Sequence, residues 1–219
     1  MSSISLSNSQ RLSPLARFWR QLVWWFFFLT CALYSGYAFY MAAVEILFRL
    51  GIAIEAPHRS ISLVFVIHAL LGGTALLLAP LQFNRTLLQK QRKLHRILGR
   101  IYVVTIWLSS ASGLGLAIFF DVSIAARIVL GLVSILWFGA TTVAFLRVRR
   151  RKIAEHREWM IRSFALSFFF VTFSLWVPGL ASTNLPEAIS YPLAVFLSWS
   201  LNLLVAEWWI RQTRKQVNR

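Results

Sequence analysis

The sequence predicts an all-α membrane protein, a polytopic bundle of about six transmembrane helices. Three observations carry this expectation. Hydrophobic residues make up 58% of the 219-residue chain and charged residues 14%, with a mean hydropathy of +0.65. That leaves too little polar surface for a soluble domain. Apolar stretches of about 20 residues recur, each long enough to cross a hydrocarbon core of ~30 Å. Basic residues collect in alternate connections between those stretches. A β-barrel is excluded because alternating strand patterns are absent, and backbone groups left unpaired in lipid are costly.

The spans fall at 22–43, 62–83, 98–120, 123–146, 160–181 and 189–210. They form one transmembrane domain over 22–210, between tails of residues 1–21 and 211–219. The first span, "QLVWWFFFLTCALYSGYAFYMAAV", follows Arg17 and Arg20 as a signal peptide would. Its apolar run is too long for a signal-peptide core, so it reads as a retained helix. The stretch before it, "MSSISLSNSQ", reads as a disordered polar tail. The second span carries His68 about six residues inside its start, roughly 9 Å below the surface at 1.5 Å per residue. The third rises behind "KLHRILGR" and is separated from the fourth by a short polar break at Asp121. The fifth rises behind "EHREWM". The sixth follows the turn "STNLPEA", where Asn184 and Pro186 interrupt the helix. No connection is long enough for a soluble domain, so function lies within the bundle or at its two faces.

The net charge of +16 is explained by its placement. Arg11, Arg17 and Arg20 precede span 1. Arg85, Lys90, Arg92, Lys93, Arg96 and Arg100 lie between spans 2 and 3. Arg147, Arg149, Arg150, Arg151, Lys152, Arg157 and Arg162 lie between spans 4 and 5, and Arg211, Arg214, Lys215 and Arg219 follow span 6. The other side holds only Arg49, Arg59 and Arg127, beside Glu45, Glu55, Asp121 and Glu187. The positive-inside rule then places both termini and both His-Arg loops in the cytoplasm, and an inner (plasma) membrane is the expected location. The basic loops are expected to meet anionic lipid headgroups, with no nucleic acid as partner. Trp19, Trp24, Trp25, Trp159, Trp208 and Trp209 fall near that interface as anchors. Cys31 is the single cysteine, which excludes a disulfide framework and a cysteine metal cluster. Small residues in "SSASGLG" (109–115), with Gly72, Gly73, Gly131 and Gly139, are expected to let helices approach closely.

Candidate chemistry centres on four histidines. His58 lies in the first external loop. His68 lies inside span 2, where an ionisable side chain is expensive and marks either function or a satisfied contact to a neighbouring helix. His95 and His156 recur at an interval of 61 residues, each followed by arginine and each at the foot of an apolar run, a weak internal repeat. Three readings stand for this pair. The His-Arg steps grip lipid phosphates. Alternatively, the imidazoles ligate a b-type haem iron, with Arg100 and Arg162 for its propionates and Met160 as an alternative soft ligand. In the third they relay protons for a quinone or solute site. Gly99 and Met160 stand four residues after the two histidines and share their faces. Glu207 is placed to pair with Arg211 along one helix. A transporter would show discontinuous helices in matching halves, and Pro80 and Pro178 fall late in spans 2 and 5. No phosphate-loop, nucleophile-elbow or His-Glu-x-x-His signature occurs.

At "HALLGGTALLLAPLQF", "LHRILGRIYV", "SSASGLGLA" and "EHREWMIRSFAL" the sequence resembles a bacterial family of predicted multi-pass membrane proteins, a domain of unknown function. The resemblance spans roughly residues 60 to 180. It implies a shared helical membrane domain with no assigned reaction and marks His68, Gln82, Phe83, His95, Arg96, Gly99, Arg100, Tyr102, His156, Arg157, Trp159, Met160 and Arg162. A looser likeness is to transmembrane b-type cytochromes, which hold two haems between four helices through histidine pairs. This chain departs from them: span 4 has no histidine and His58 is in a loop. The expectation is a haem b- or quinone-linked redox component using His68, His95 and His156. The competing expectations are a non-catalytic protein that binds lipid headgroups or assists assembly, and a small-solute or proton transporter.

Overall fold

The computed structural model describes residues 14–52 and 62–217; His58, Arg59, Glu55, Arg11 and the polar stretch 1–10 lie outside them. The described chain forms helices α1 (Pro14–Arg49), α2 (Leu63–Gln82), α3 (Arg85–Lys90), α4 (Arg92–Phe119), α5 (Ile124–Arg149), α6 (Ile153–Ser167), α7 (Phe169–Ala181) and α8 (Glu187–Val217), with no strand among these residues. Six stretches are long and apolar enough to cross a membrane: α1, α2, α4, α5, the tandem of α6 and α7, and α8. Neighbours pack in chain order, α1 on α2, α2 on α4, α4 on α5 and α5 on α6, while α8 covers α5, α6 and α7. Helices α4 and α6 stand across the bundle and meet only through side chains.

The interior is built for a lipid surround. Its buried polar positions are mainly hydroxyls, among them Ser35, Ser109, Thr141, Ser163 and Ser198, set beside alanines, while Leu33, Phe119 and Ile124 face outward. In lipid a large apolar side chain loses nothing by facing out, and small residues let backbones close. Buried hydroxyls discharge onto their own helices, as in Ser134 to the Leu130 carbonyl and Ser198 to the Ala194 carbonyl. A Cβ at Gly73 would stand 3.0 Å from the Phe39 ring, so glycine sets the α1–α2 distance. Gly139, grouped with the packing glycines by the sequence, faces open space instead. Trp24, expected as an interface anchor, donates its indole N–H to the Pro80 carbonyl at 3.0 Å and ties α1 to α2.

Two departures from the hydropathy pattern shape the site. First, α4 begins at Arg92 and α6 at Ile153, ahead of their apolar runs. His95 and His156 therefore lie in first helical turns, at the same position. The His95 N–H donates to the Gln91 carbonyl, and the His156 N–H to the Lys152 carbonyl. Ser62, Asn84 and Ser123 cap the starts of α2, α3 and α5 with side-chain oxygens, whereas Gln91 and Lys152 make no such bond. Second, the fifth span breaks at Phe168, between α6 and α7, inside "SFFF". Pro80 and Pro178 lie inside α2 and α7. The break is held from α8. The Asn202 amide donates to the Ala165 carbonyl and the Thr172 hydroxyl, each at 3.1 Å, and Thr172 Oγ1 lies 2.9 Å from the Ser198 carbonyl. Irregular backbone at membrane depth persists where protein groups satisfy it.

Candidate ligand cavity and the two histidine ends

The helices line an open-sided cavity of about 460 Å³ in the half of the bundle away from the basic connections. Phe65, Leu130, Val133, Trp137, Phe170 and Phe173 supply apolar wall; His68, Ser134, Ser167 and Tyr191 supply polar groups. The broken helix forms one side of it, through Leu166, Ser167 and Phe169.

His68 is oriented by α4. Its Nδ1 lies 2.9 Å from the Ser109 carbonyl, with the hydroxyls of Ser109 and Ser112 at 3.2 and 3.4 Å. A carbonyl only accepts, which assigns the proton to Nδ1 and leaves Nε2 as an acceptor. This contact needs glycine on the facing helix: a Cβ at Gly113 would stand 3.0 Å from His68 Cε1 and 3.0 Å from Ser134 Oγ.

A buried hydroxyl network adjoins the cavity. Tyr102, fully buried, places its hydroxyl 2.8 Å from Ser163 Oγ and 3.0 Å from Ser167 Oγ. Thr141 Oγ1 lies 2.7 Å from Ser163 Oγ, and the Trp137 indole donates to Ser167 Oγ at 3.0 Å. Trp137 and Ser167 also line the cavity.

The basic end holds the other two histidines. His156 Nδ1 donates to the Ala144 carbonyl at 2.8 Å. His95 Nδ1 is buried without a hydrogen-bond partner among the described residues, and so is Gln82 Nε2. Gln82 Oε1 lies 3.1 Å from where a Cβ on Gly99 would stand, one turn beyond His95. His95 on α4 and His156 on α6 stand at the same position of their helices, each seven residues before the Tyr102–Ser163 contact that joins them. Met160 is buried against Tyr102 and Ala144, and Arg100 is exposed. Arg162 meets Glu207 through two nitrogens, one of them at 3.1 Å, and lies 4.5 Å over the Trp159 ring. Glu207 thus pairs with α6 rather than with Arg211 on its own helix, because the facing arginine reaches it with both arms of its guanidinium. Arg214 forms a second such link to Glu158. Among the described residues no group of three or more His, Cys, Asp or Glu side chains is placed to hold a metal ion.

The structure therefore separates the sequence-predicted residues into two places: His68 at the cavity, His95 and His156 at the opposite end with Met160, while Arg162 is engaged by Glu207. The resemblance marks Gln82 and Tyr102 without giving either a role; sequence reasoning missed Ser109 and Ser112 as partners of His68, the hydroxyls that meet Tyr102, and the unpartnered state of the Gln82 amide. A polar amide closing an apolar span at Gln82 was the one legible signal among these.

A family model described as "Predicted membrane protein (DUF2306)" matches residues 65–210, from early α2 into α8. No curated protein and no solved structure matches the chain.

Proposed function

The chain belongs to that family of predicted membrane proteins, which is defined by no reaction, and on this premise we propose that it binds a quinone-class ring within the membrane as part of a redox system. The observation that carries this reading is the cavity at His68. Its volume falls in the range of small-molecule sites, and its walls are apolar with a few convergent polar groups. A quinone is a flat apolar ring with an oxygen at each end. In the reduced form those oxygens are hydroxyl donors, and His68 Nε2 is an acceptor fixed in orientation by the Ser109 carbonyl. The Tyr191 hydroxyl, at another part of the wall, is a donor for a carbonyl oxygen. On the same reading, the basic connections face the cytoplasm and the cavity lies in the outer half of a bacterial inner membrane.

The test is a titration of the detergent-purified chain with a short-tailed quinol, followed by tryptophan fluorescence. Saturable quenching is expected, because Trp137 lines the cavity. His68→Ala should weaken binding about tenfold, the equivalent of one hydrogen bond of ~1.4 kcal/mol. Linear, unsaturable quenching, or equal affinity in His68→Ala, would overturn the proposal.

A further inference from the structure

We infer that the basic end is a binding site for a phosphate group, held by Gln82, His95 and His156. This site is separate from the cavity and does not depend on the quinone reading. Two buried polar atoms there, Gln82 Nε2 and His95 Nδ1, have no partner among the described residues, and Gln82 is only 8% exposed. Buried donors are almost always paired, so a group that accepts from both is the missing component. The amide nitrogen of Gln82 can only donate, and the imidazole donates from Nδ1 when its proton is there. His156 is already oriented by the Ala144 carbonyl, which leaves its Nε2 for the same ligand in the protonated ring.

The surroundings select an anion. Both histidines stand in first turns of helices whose N-caps make no side-chain bond, so the positive dipole end of each helix lies within a turn of its ring. Helix α4 has no acidic residue in its first turn. On α6 the carboxylate of Glu155 is taken by Arg147 and Lys152. Lys93, Arg96 and Arg100 on α4 are exposed and join no salt bridge among the described residues. Phosphate meets this set with several acceptor oxygens and a negative charge. It has two sources, an anionic lipid headgroup or a soluble phosphate.

The experiment follows the thermal unfolding midpoint of the full chain in neutral detergent against added phosphatidylglycerol, diacylglycerol or inorganic phosphate. A saturable rise is expected with phosphatidylglycerol and none with diacylglycerol, which has no phosphate. A matching rise with inorganic phosphate assigns the site to a soluble source, and no rise with it assigns the lipid. Gln82→Leu removes the unpaired donor without adding bulk and should shift half-saturation about tenfold. His95→Leu, which leaves Gln82 in place, should do the same, and Arg127→Gln at the other end should change nothing. Equal responses to the two lipids with no response to phosphate, or wild-type titration by both variants, would overturn the site. So would a haem absorption band lost in His95→Ala, since the imidazole would then hold iron.

Discussion

A Cβ atom at Gly113 would collide with both the His68 ring and the Ser134 hydroxyl, so this one position joins α2, α4 and α5 at the cavity wall. Gly113→Val should destabilise the chain by about 1–3 kcal/mol through overpacking. It should also weaken quinol binding, because His68 must leave the Ser109 carbonyl to make room. Denaturation in detergent and the fluorescence titration measure the two effects separately. His68 was legible in the sequence because an imidazole inside an apolar run is costly and has to be satisfied. Its partners were not, because a serine on a membrane helix ordinarily bonds its own preceding turn, as Ser134 does. Which serine faces another helix depends on rotation about the helix axis, and hydropathy carries no record of that.

At the scale of elements, the break between α6 and α7 turns on Asn202 of α8. Its amide satisfies the Ala165 carbonyl and the Thr172 hydroxyl. Asn202→Leu should cost about 1–2 kcal/mol, since it leaves buried acceptors unpaired. Amide hydrogen exchange over residues 168–172 should accelerate about tenfold, while α2 and α4 keep their protection. Unchanged exchange there would show that the break holds without α8. The break was invisible in "SFFF" because hydropathy scores three phenylalanines alike in a helix or across a bend. The early starts of α4 and α6 lie outside the apolar windows for a related reason. Arg92, Lys93 and Leu94 are good helix formers, and an apolar window measures contact with lipid rather than helicity. The prolines, by contrast, interrupt nothing: helices tolerate proline within membranes when neighbours satisfy the freed groups.

For the whole molecule, six candidate spans, an even number, put the start of α1 and the end of α8 on one side of the bilayer. With the basic connections there as well, a periplasm-active reporter fused after Arg219 should be silent, and a cytoplasm-active one should report. Activity of the periplasmic reporter would invert the topology and place the His68 cavity in the inner half of the membrane. The architecture was legible from composition alone because lipid imposes one solution on an apolar chain, which is helices of membrane length. The cavity was not, since it arises from residues on helices far apart in sequence, Phe65 and Tyr191 among them.

The interval of 61 residues that separates His95 from His156 also separates Tyr102 from Ser163, and these two side chains touch. Helices α4 and α6 run in the same direction, so corresponding points on them meet face to face. The two imidazoles, each seven residues before that contact, stand at the same position of their helices, the fourth residue of each. What distinguishes the two ends is local. One ring has a backbone carbonyl from the helix before its own, while the Nδ1 of its counterpart has no partner among the described residues, so the correspondence ends where the phosphate site is inferred.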